Sequence, residues 1–96
     1  MRSTSESLLK DVISNFTDTK HIKGKLAEAV IKAKWEELVG SMIAKNTTKM
    51  YISKNNLYLY IESSALRQEL HFSKAKIISI VNTEAGFELI DDVIVK

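Results

Sequence analysis

After Asn46-Thr47-Thr48 the spacing of apolar residues switches from a helical period to a strand period, and neither an all-α nor an all-β architecture accommodates both halves. Upstream, Ile31, Trp35, Leu38, Val39, Met42 and Ile43 fall at i, i+4, i+7, i+8, i+11 and i+12, which places them in one stripe of a helix. This spacing predicts a helix over about residues 25–44, with Leu26, Ala27, Ala29 and Val30 lining its earlier part and room for a bend near residues 32–34. Downstream, Met50 and Ile52, then Leu57, Leu59 and Ile61, alternate with more polar neighbours, as half-buried strands do. Asn55-Asn56 lies between the two runs. Asparagine tolerates the left-handed backbone that a two-residue hairpin turn demands, so a tight hairpin with these two residues as its turn is predicted.

The flanks complete the pattern. Leu8, Leu9, Val12, Ile13 and Phe16 recur at helical spacing behind Ser3-Thr4-Ser5, whose hydroxyls suit a helix start. Ser63-Ser64 offers a cap for a further helix, in which Leu66, Leu70, Ile77 and Val81 share a face to about Asn82, with Gly86 placed to end it. Residues 87–95 are rich in β-formers and predict a last strand, bulged at Asp91-Asp92. The order α-α-β-β-α-β calls for an α+β fold, a three-stranded sheet with helices packed on one face. Residues 1–96 contain no proline, no repeat and no low-complexity linker, so they read as a single domain.

Several function classes drop out. There is no cysteine, hence no disulfide, thiol chemistry or thiolate zinc site. His21 and His71 stand apart, and Asp91-Asp92 are strand neighbours that point to opposite faces, so neither pair suggests a catalytic or metal centre. No phosphate-binding glycine loop or nucleophile elbow is present. No enzyme, cofactor, metal or small-molecule substrate is therefore expected. With neither a secretory signal nor a 20-residue apolar span, no membrane partner is expected and a cytoplasmic location is. The net charge of +2 decides little, but lysines concentrate between residues 20 and 54 while acids gather toward the end.

The hairpin carries the clearest functional signal. With Met50, Ile52, Leu57, Leu59 and Ile61 turned to the core, the other face holds Lys49, Tyr51, Ser53, Tyr58, Tyr60 and Glu62. Tyrosines beside lysines on an open sheet face make a stacking platform for single-stranded nucleic acid. The same tyrosines serve equally well as cross-strand stabilisers or as a protein-binding face. Lys45, Lys49, Lys54, Arg67, Lys74 and Lys76 are the cations placed to meet phosphates. Trp35, on the most amphipathic helix, is either core or a partner contact. Gly40, inside that helix, calls for a reason, and close approach of another backbone is the simplest one.

The run Trp35-Glu36-Glu37-Leu38-Val39-Gly40-Ser41-Met42-Ile43-Ala44-Lys45-Asn46-Thr47 resembles the W-x-x-[IV]-V-G-x-x-I-A-x-H-[ST] signature of the DciA family, bacterial loaders of the replicative helicase. Leu57-Tyr58-Leu59-Tyr60-Ile61-Glu62-Ser63-Ser64 is similar to that family's L-x-V-x-V-x-S-S, Glu69-Leu70 to the end of its W-x-x-E-L, and Ile77-Ile78-Ser79-Ile80-Val81-Asn82 to its L-L-x-x-L-N. The resemblance implies a KH-like domain that binds single-stranded or forked DNA, partners the replicative helicase, and works near the nucleoid without ATP. Gly24, Gly40 and Gly86 are the only glycines, so the G-x-x-G clamp of ordinary KH domains is missing and another surface would hold nucleic acid. A protein-interaction module without nucleic acid and an RNA-binding KH-like domain are the alternative readings.

Overall fold

The computed structural model describes residues 19–96. The helix expected around Leu8, Leu9, Val12, Ile13 and Phe16 lies outside the described residues. The remainder is an α+β fold in which helices cover one face of a three-stranded mixed sheet, with helical, strand-pair, helical and strand segments in the expected succession.

The long helix expected over residues 25–44 is three helices, α1 (Thr19–Ala33), α2 (Trp35–Val39) and α3 (Ser41–Asn46). The first break is at Lys34, whose φ of −106° and ψ of 13° leave the helical region. The second is at Gly40, with φ 94° and ψ 162°, a conformation that glycine adopts and side-chain-bearing residues resist. A Cβ at Gly40 would have nothing within 4 Å, so the residue is required by its backbone angles and not by close approach of a neighbouring chain. Ile31 and Trp35, on either side of the first break, both enter the core.

β1 (Thr47–Ser53) and β2 (Asn56–Ile61) form the hairpin. Its turn is Lys54-Asn55, with φ of 51° and 66°, and not Asn55-Asn56. Two left-handed residues match the twist of the strands. Contacts with the segment before the last strand select this turn: the Asn55 carbonyl accepts the Asp91 N–H at 2.7 Å, and the Asn55 amide donates to the Leu89 carbonyl at 3.1 Å. Asn56 is thereby freed to begin β2 beside Asp92. The observed pairs are Ser53–Asn56, Ile52–Leu57, Tyr51–Tyr58, Met50–Leu59 and Lys49–Tyr60, with a bulge between Thr47 and Lys49. The expected register is displaced by two residues, so each side chain keeps its face.

The single helix expected after Ser63 is also broken, into α4 (Ser64–His71) and α5 (Lys74–Ala85). The Ser63 hydroxyl accepts the Leu66 N–H at 3.2 Å and caps α4. At the other end the Ser73 hydroxyl donates to the Glu69 carbonyl, a local bond that competes with helix continuation. Gly86, left-handed at φ 83°, closes α5. The last strand is only β3 (Asp92–Val95), parallel to β2, and no bulge marks Asp91-Asp92. Residues 87–91 remain irregular because Asn82 satisfies their backbone: its carbonyl oxygen accepts the N–H groups of Leu89 and Ile90, and its amide donates to the Ile90 carbonyl. Leu57, Leu59, Ile61, Val93 and Val95 from the sheet meet Ile31, Trp35, Leu66, Leu70, Ile77 and Val81 from the helices in one core.

Candidate nucleic-acid interface

The side of the sheet that none of the described helices covers is built by strand alternation. Lys49 opposes Tyr60, Tyr51 opposes Tyr58, and Ser53 opposes Asn56. On the third strand Ile94 continues the Tyr51–Tyr58 row and Asp92 the Ser53–Asn56 row. Lys96 extends the ladder past β3: its N–H donates to the Leu59 carbonyl at 2.8 Å and its carbonyl accepts the Ile61 N–H at 3.0 Å, which sets it across from Tyr60. The rows therefore read Lys49–Tyr60–Lys96, Tyr51–Tyr58–Ile94 and Ser53–Asn56–Asp92.

The three tyrosines stack on one another. Tyr51 and Tyr58 lie with centroids 4.8 Å apart and planes 12° apart, and Tyr51 and Tyr60 at 6.4 Å and 27°. Tyr51 is thus the ring that stacks with both of the others. The Lys49 ammonium sits 5.3 Å from the Tyr60 centroid and 5.4 Å from that of Tyr51, within cation–π range of both. The Tyr60 hydroxyl, as hydrogen-bond partner of the neutral phenol, raises the pKa of Tyr51 above the usual tyrosine value, with burial and the charges of Tyr60 and Tyr58 acting in the same direction.

The basic residues named from sequence divide into three groups. Lys45, in the last turn of α3, Lys49, and Lys54, in the hairpin turn, are exposed along the length of β1. Arg67 is half-buried and engaged, since its guanidinium donates to the carbonyls of Ile61 and Glu62 and so caps the end of β2. Lys74 and Lys76 belong to α5 in the helical layer. Lys74 stands 4.0 Å from Asp92, and Lys76 borders a groove of about 370 Å³ lined by Leu38, Met42, Leu66, Ile77 and Ile80. The structure thus places Lys49 beside the tyrosines, Lys45 and Lys54 at the two ends of β1, Arg67 at the end of β2, Lys74 beside Asp92 at the edge of the sheet, and Lys76 in the helical layer. Sequence reasoning overlooked Lys96. The alternation of inward Val93 and Val95 with outward Asp92 and Ile94 would have placed it.

Trp35 is buried, 5% exposed, and its indole N–H donates to the Thr47 hydroxyl at 3.1 Å, which donates in turn to the Ile43 carbonyl at 2.7 Å. The buried carboxylate of Glu28 accepts the Ile52 N–H at 3.0 Å and lies 3.6 Å from Lys32, so it is fully employed in fastening α1 to the outer edge of β1. His71, Asp91 and Asp92 are exposed, and among the described residues no group of three or more His, Cys, Asp or Glu side chains is placed to hold a metal. No helix of the described residues is long and apolar enough to cross a membrane.

Residues 8–95 match a protein family described as Dna[CI] antecedent, DciA. No curated protein and no solved structure matches the chain.

Proposed function

The chain belongs to the DciA family, and we propose that it is a non-enzymatic adaptor of one KH-like domain that binds DNA and assists a replicative helicase onto single strands. The observation that carries the DNA-binding part is the open sheet face, where stacked aromatic rings stand beside lysines and no helix among the described residues intervenes. Bases stack on the outer rings, Tyr58 and Tyr60, while Lys45, Lys49, Lys54 and Lys96 meet phosphates. With no G-x-x-G loop in the chain, this face takes over the task of holding the strand. The adaptor acts in the cytoplasm, at the nucleoid.

The opposite, helical side favours a protein contact. Met42, at the rim of the apolar groove, and Phe72, in an adjoining depression that Met42 and Leu66 also line, are 67% and 85% exposed, large side chains that a lone domain gains nothing by displaying. The two sides divide the work: strand on the sheet, helicase on the helices. The test combines two readouts on the same proteins. Tyr58→Ala with Tyr60→Ala should weaken single-stranded oligonucleotide binding and leave helicase capture intact, whereas Phe72→Ser should do the reverse. Oligonucleotide binding that survives the double tyrosine variant would refute the sheet assignment. Helicase capture without any oligonucleotide binding by the parent would support the protein-only module, and stronger binding of RNA than of DNA would support the RNA reading.

A further inference from the structure

Gly24 lies inside α1, where glycine is less favourable than alanine. Its backbone is not left-handed, and a Cβ there would meet only Leu89 Cδ1, at the ordinary contact distance of 3.8 Å. Neither backbone angles nor packing therefore ask for it. What the missing side chain leaves is room: Gly24 lines a cavity of about 520 Å³ between α1, the hairpin turn and the segment after α5, a size typical of ligand sites. Lys25 from α1 and Lys54 from the turn line it with Phe87 and Glu88. The Lys23 ammonium stands 4.4 Å from the centroid of the Phe87 ring, within cation–π range. The Glu28 carboxylate in the wall is already engaged by the Ile52 N–H, so the three lysines outweigh the exposed Glu88.

We propose that this cavity receives one nucleotide of a single strand, next to those held on the tyrosine face, an inference that rests on the DNA-binding reading above. Ser53 and Lys54 line the cavity, and Ser53 also belongs to the Ser53–Asn56–Asp92 row of the open face. Ser53 is two residues from Tyr51, about 7 Å along β1, so a strand leaving the tyrosines at the turn end meets the cavity next. The base takes the place of the Lys23 ammonium on the Phe87 ring, and that ammonium turns to the phosphate beside Lys25 and Lys54. Glu88 accepts from an amino group of the base. The exchange is accessible because Lys23 is exposed and Phe87 only half-buried. The groove bordered by Met42 offers a strand no such setting, since Lys76 is the one cation along it and Glu69 stands opposite in charge.

Single-stranded oligonucleotides of about 4 and about 12 nucleotides, lengths that single binding modules cover, separate the two surfaces. The shorter is accommodated by the tyrosine face, and the longer also reaches the cavity. Gly24→Leu fills the cavity with a residue that suits a helix better, so its denaturation midpoint should not fall. In this variant the ratio of long-strand to short-strand affinity should drop by about 5- to 150-fold, the contribution of one stacked base. Lys25→Gln should reduce the magnitude of the salt slope by about 0.7 for the long strand and leave that of the short strand unchanged. A ratio and a slope indifferent to both substitutions would overturn the cavity proposal, whatever the tyrosines do. Long-strand binding lost in Gly24→Leu but untouched by Tyr58→Ala with Tyr60→Ala would support the cavity and refute the sheet reading instead. Binding of neither strand by the parent refutes both.

Discussion

Salt dependence separates the sheet face from every other basic surface of the molecule. Lys49 and Lys96 flank Tyr60 in one row of the open face, and Lys45 and Lys54 stand at the two ends of β1. Arg67 is committed to the carbonyls at the end of β2, and Lys74 and Lys76 lie in the helical layer. Each phosphate contact to a single strand contributes about 0.7 to the slope of log K against log salt, so four contacts give a slope near −2.8. Between about 50 and 200 mM salt that slope costs roughly fifty-fold in affinity. Lys49→Gln should reduce the slope to about −2.1 and the loss to roughly twenty-fold, whatever the base sequence. Lys74→Gln with Lys76→Gln should leave the slope alone. Removing an end ring, Tyr58→Ala or Tyr60→Ala, should lower affinity by about 1–3 kcal/mol per stacked base at every salt concentration and shift the line without tilting it. Fluorescence anisotropy with a labelled oligonucleotide, repeated over a salt series, reads both quantities. A slope that falls with Lys74 and Lys76 but ignores Lys49 would move the interface to the helices, and a flat line would end the phosphate argument altogether.

Trp35→Ala should destabilise the fold by about 3–5 kcal/mol, as loss of a buried aromatic does, and Thr47→Val by about 1–3 kcal/mol through the orphaned indole N–H. Chemical denaturation measures both, and near-parental stability of Trp35→Ala would show that the indole is not a core anchor. Asn82→Ala leaves the Ile90 N–H and carbonyl without a partner and should cost about 1–3 kcal/mol for each, with loss of amide-exchange protection at Ile90, the Leu89 N–H keeping the Phe87 carbonyl at 2.8 Å; unchanged protection at Ile90 would refute its role as an internal brace. Tyr51 has a raised pKa in the folded state, so the neutral phenol is the form the fold favours. Stability should be unaffected below the ordinary tyrosine range and should fall as pH rises through it toward the raised value, because the unfolded chain releases that proton first. Tyr60→Phe, which removes the leading cause, should return the Tyr51 phenolate absorbance titration toward the ordinary value; an unmoved curve contradicts the assignment.

The period change after Asn46 carried the fold class because burial dictates it: apolar residues reach one core only at the spacing of the element they occupy. Helix continuity was less legible. Leu66, Leu70, Ile77 and Val81 fit one unbroken helix as well as two, since seven residues are nearly two turns whether or not the axis bends between them. At the break after His71 the Phe72 and Ser73 N–H groups turn to the carbonyls three residues back and the Ser73 hydroxyl joins the Glu69 carbonyl, local bonds that periodicity does not register. Gly40 signalled an irregularity but not its kind. A glycine needed for close packing and one needed for a positive φ look alike in sequence, and only the empty space around Gly40 tells them apart. The last strand shortened for a tertiary reason: Asn82, from α5, supplies the bonds that residues 89 and 90 would otherwise seek in a ladder.

The tyrosine face was legible despite an error in the turn, and the reason is geometric. Moving the turn from Asn55-Asn56 to Lys54-Asn55 changes each partner by two positions, and a displacement of two preserves which face a side chain takes. A displacement of one would have set Tyr51 on the face opposite to Tyr58 and Tyr60 and parted Met50 and Ile52 from Leu57 and Leu59, so the core itself enforced the tyrosine face. What burial does not enforce remained hidden. Arg67 is a free cation by sequence and a capped carbonyl's partner by structure, because the end of β2 needs a donor that no neighbouring strand supplies there. The mutual stacking of the tyrosines has the same origin, as side chains without a core to fill settle against one another. This packing makes Tyr51 the spacer of the stack, with its ring faces already engaged by Tyr58 and Tyr60. On the proposed DNA-binding reading, stacking with bases therefore falls to the two outer rings, and Lys49, over the rings of Tyr51 and Tyr60, is the cation placed beside them.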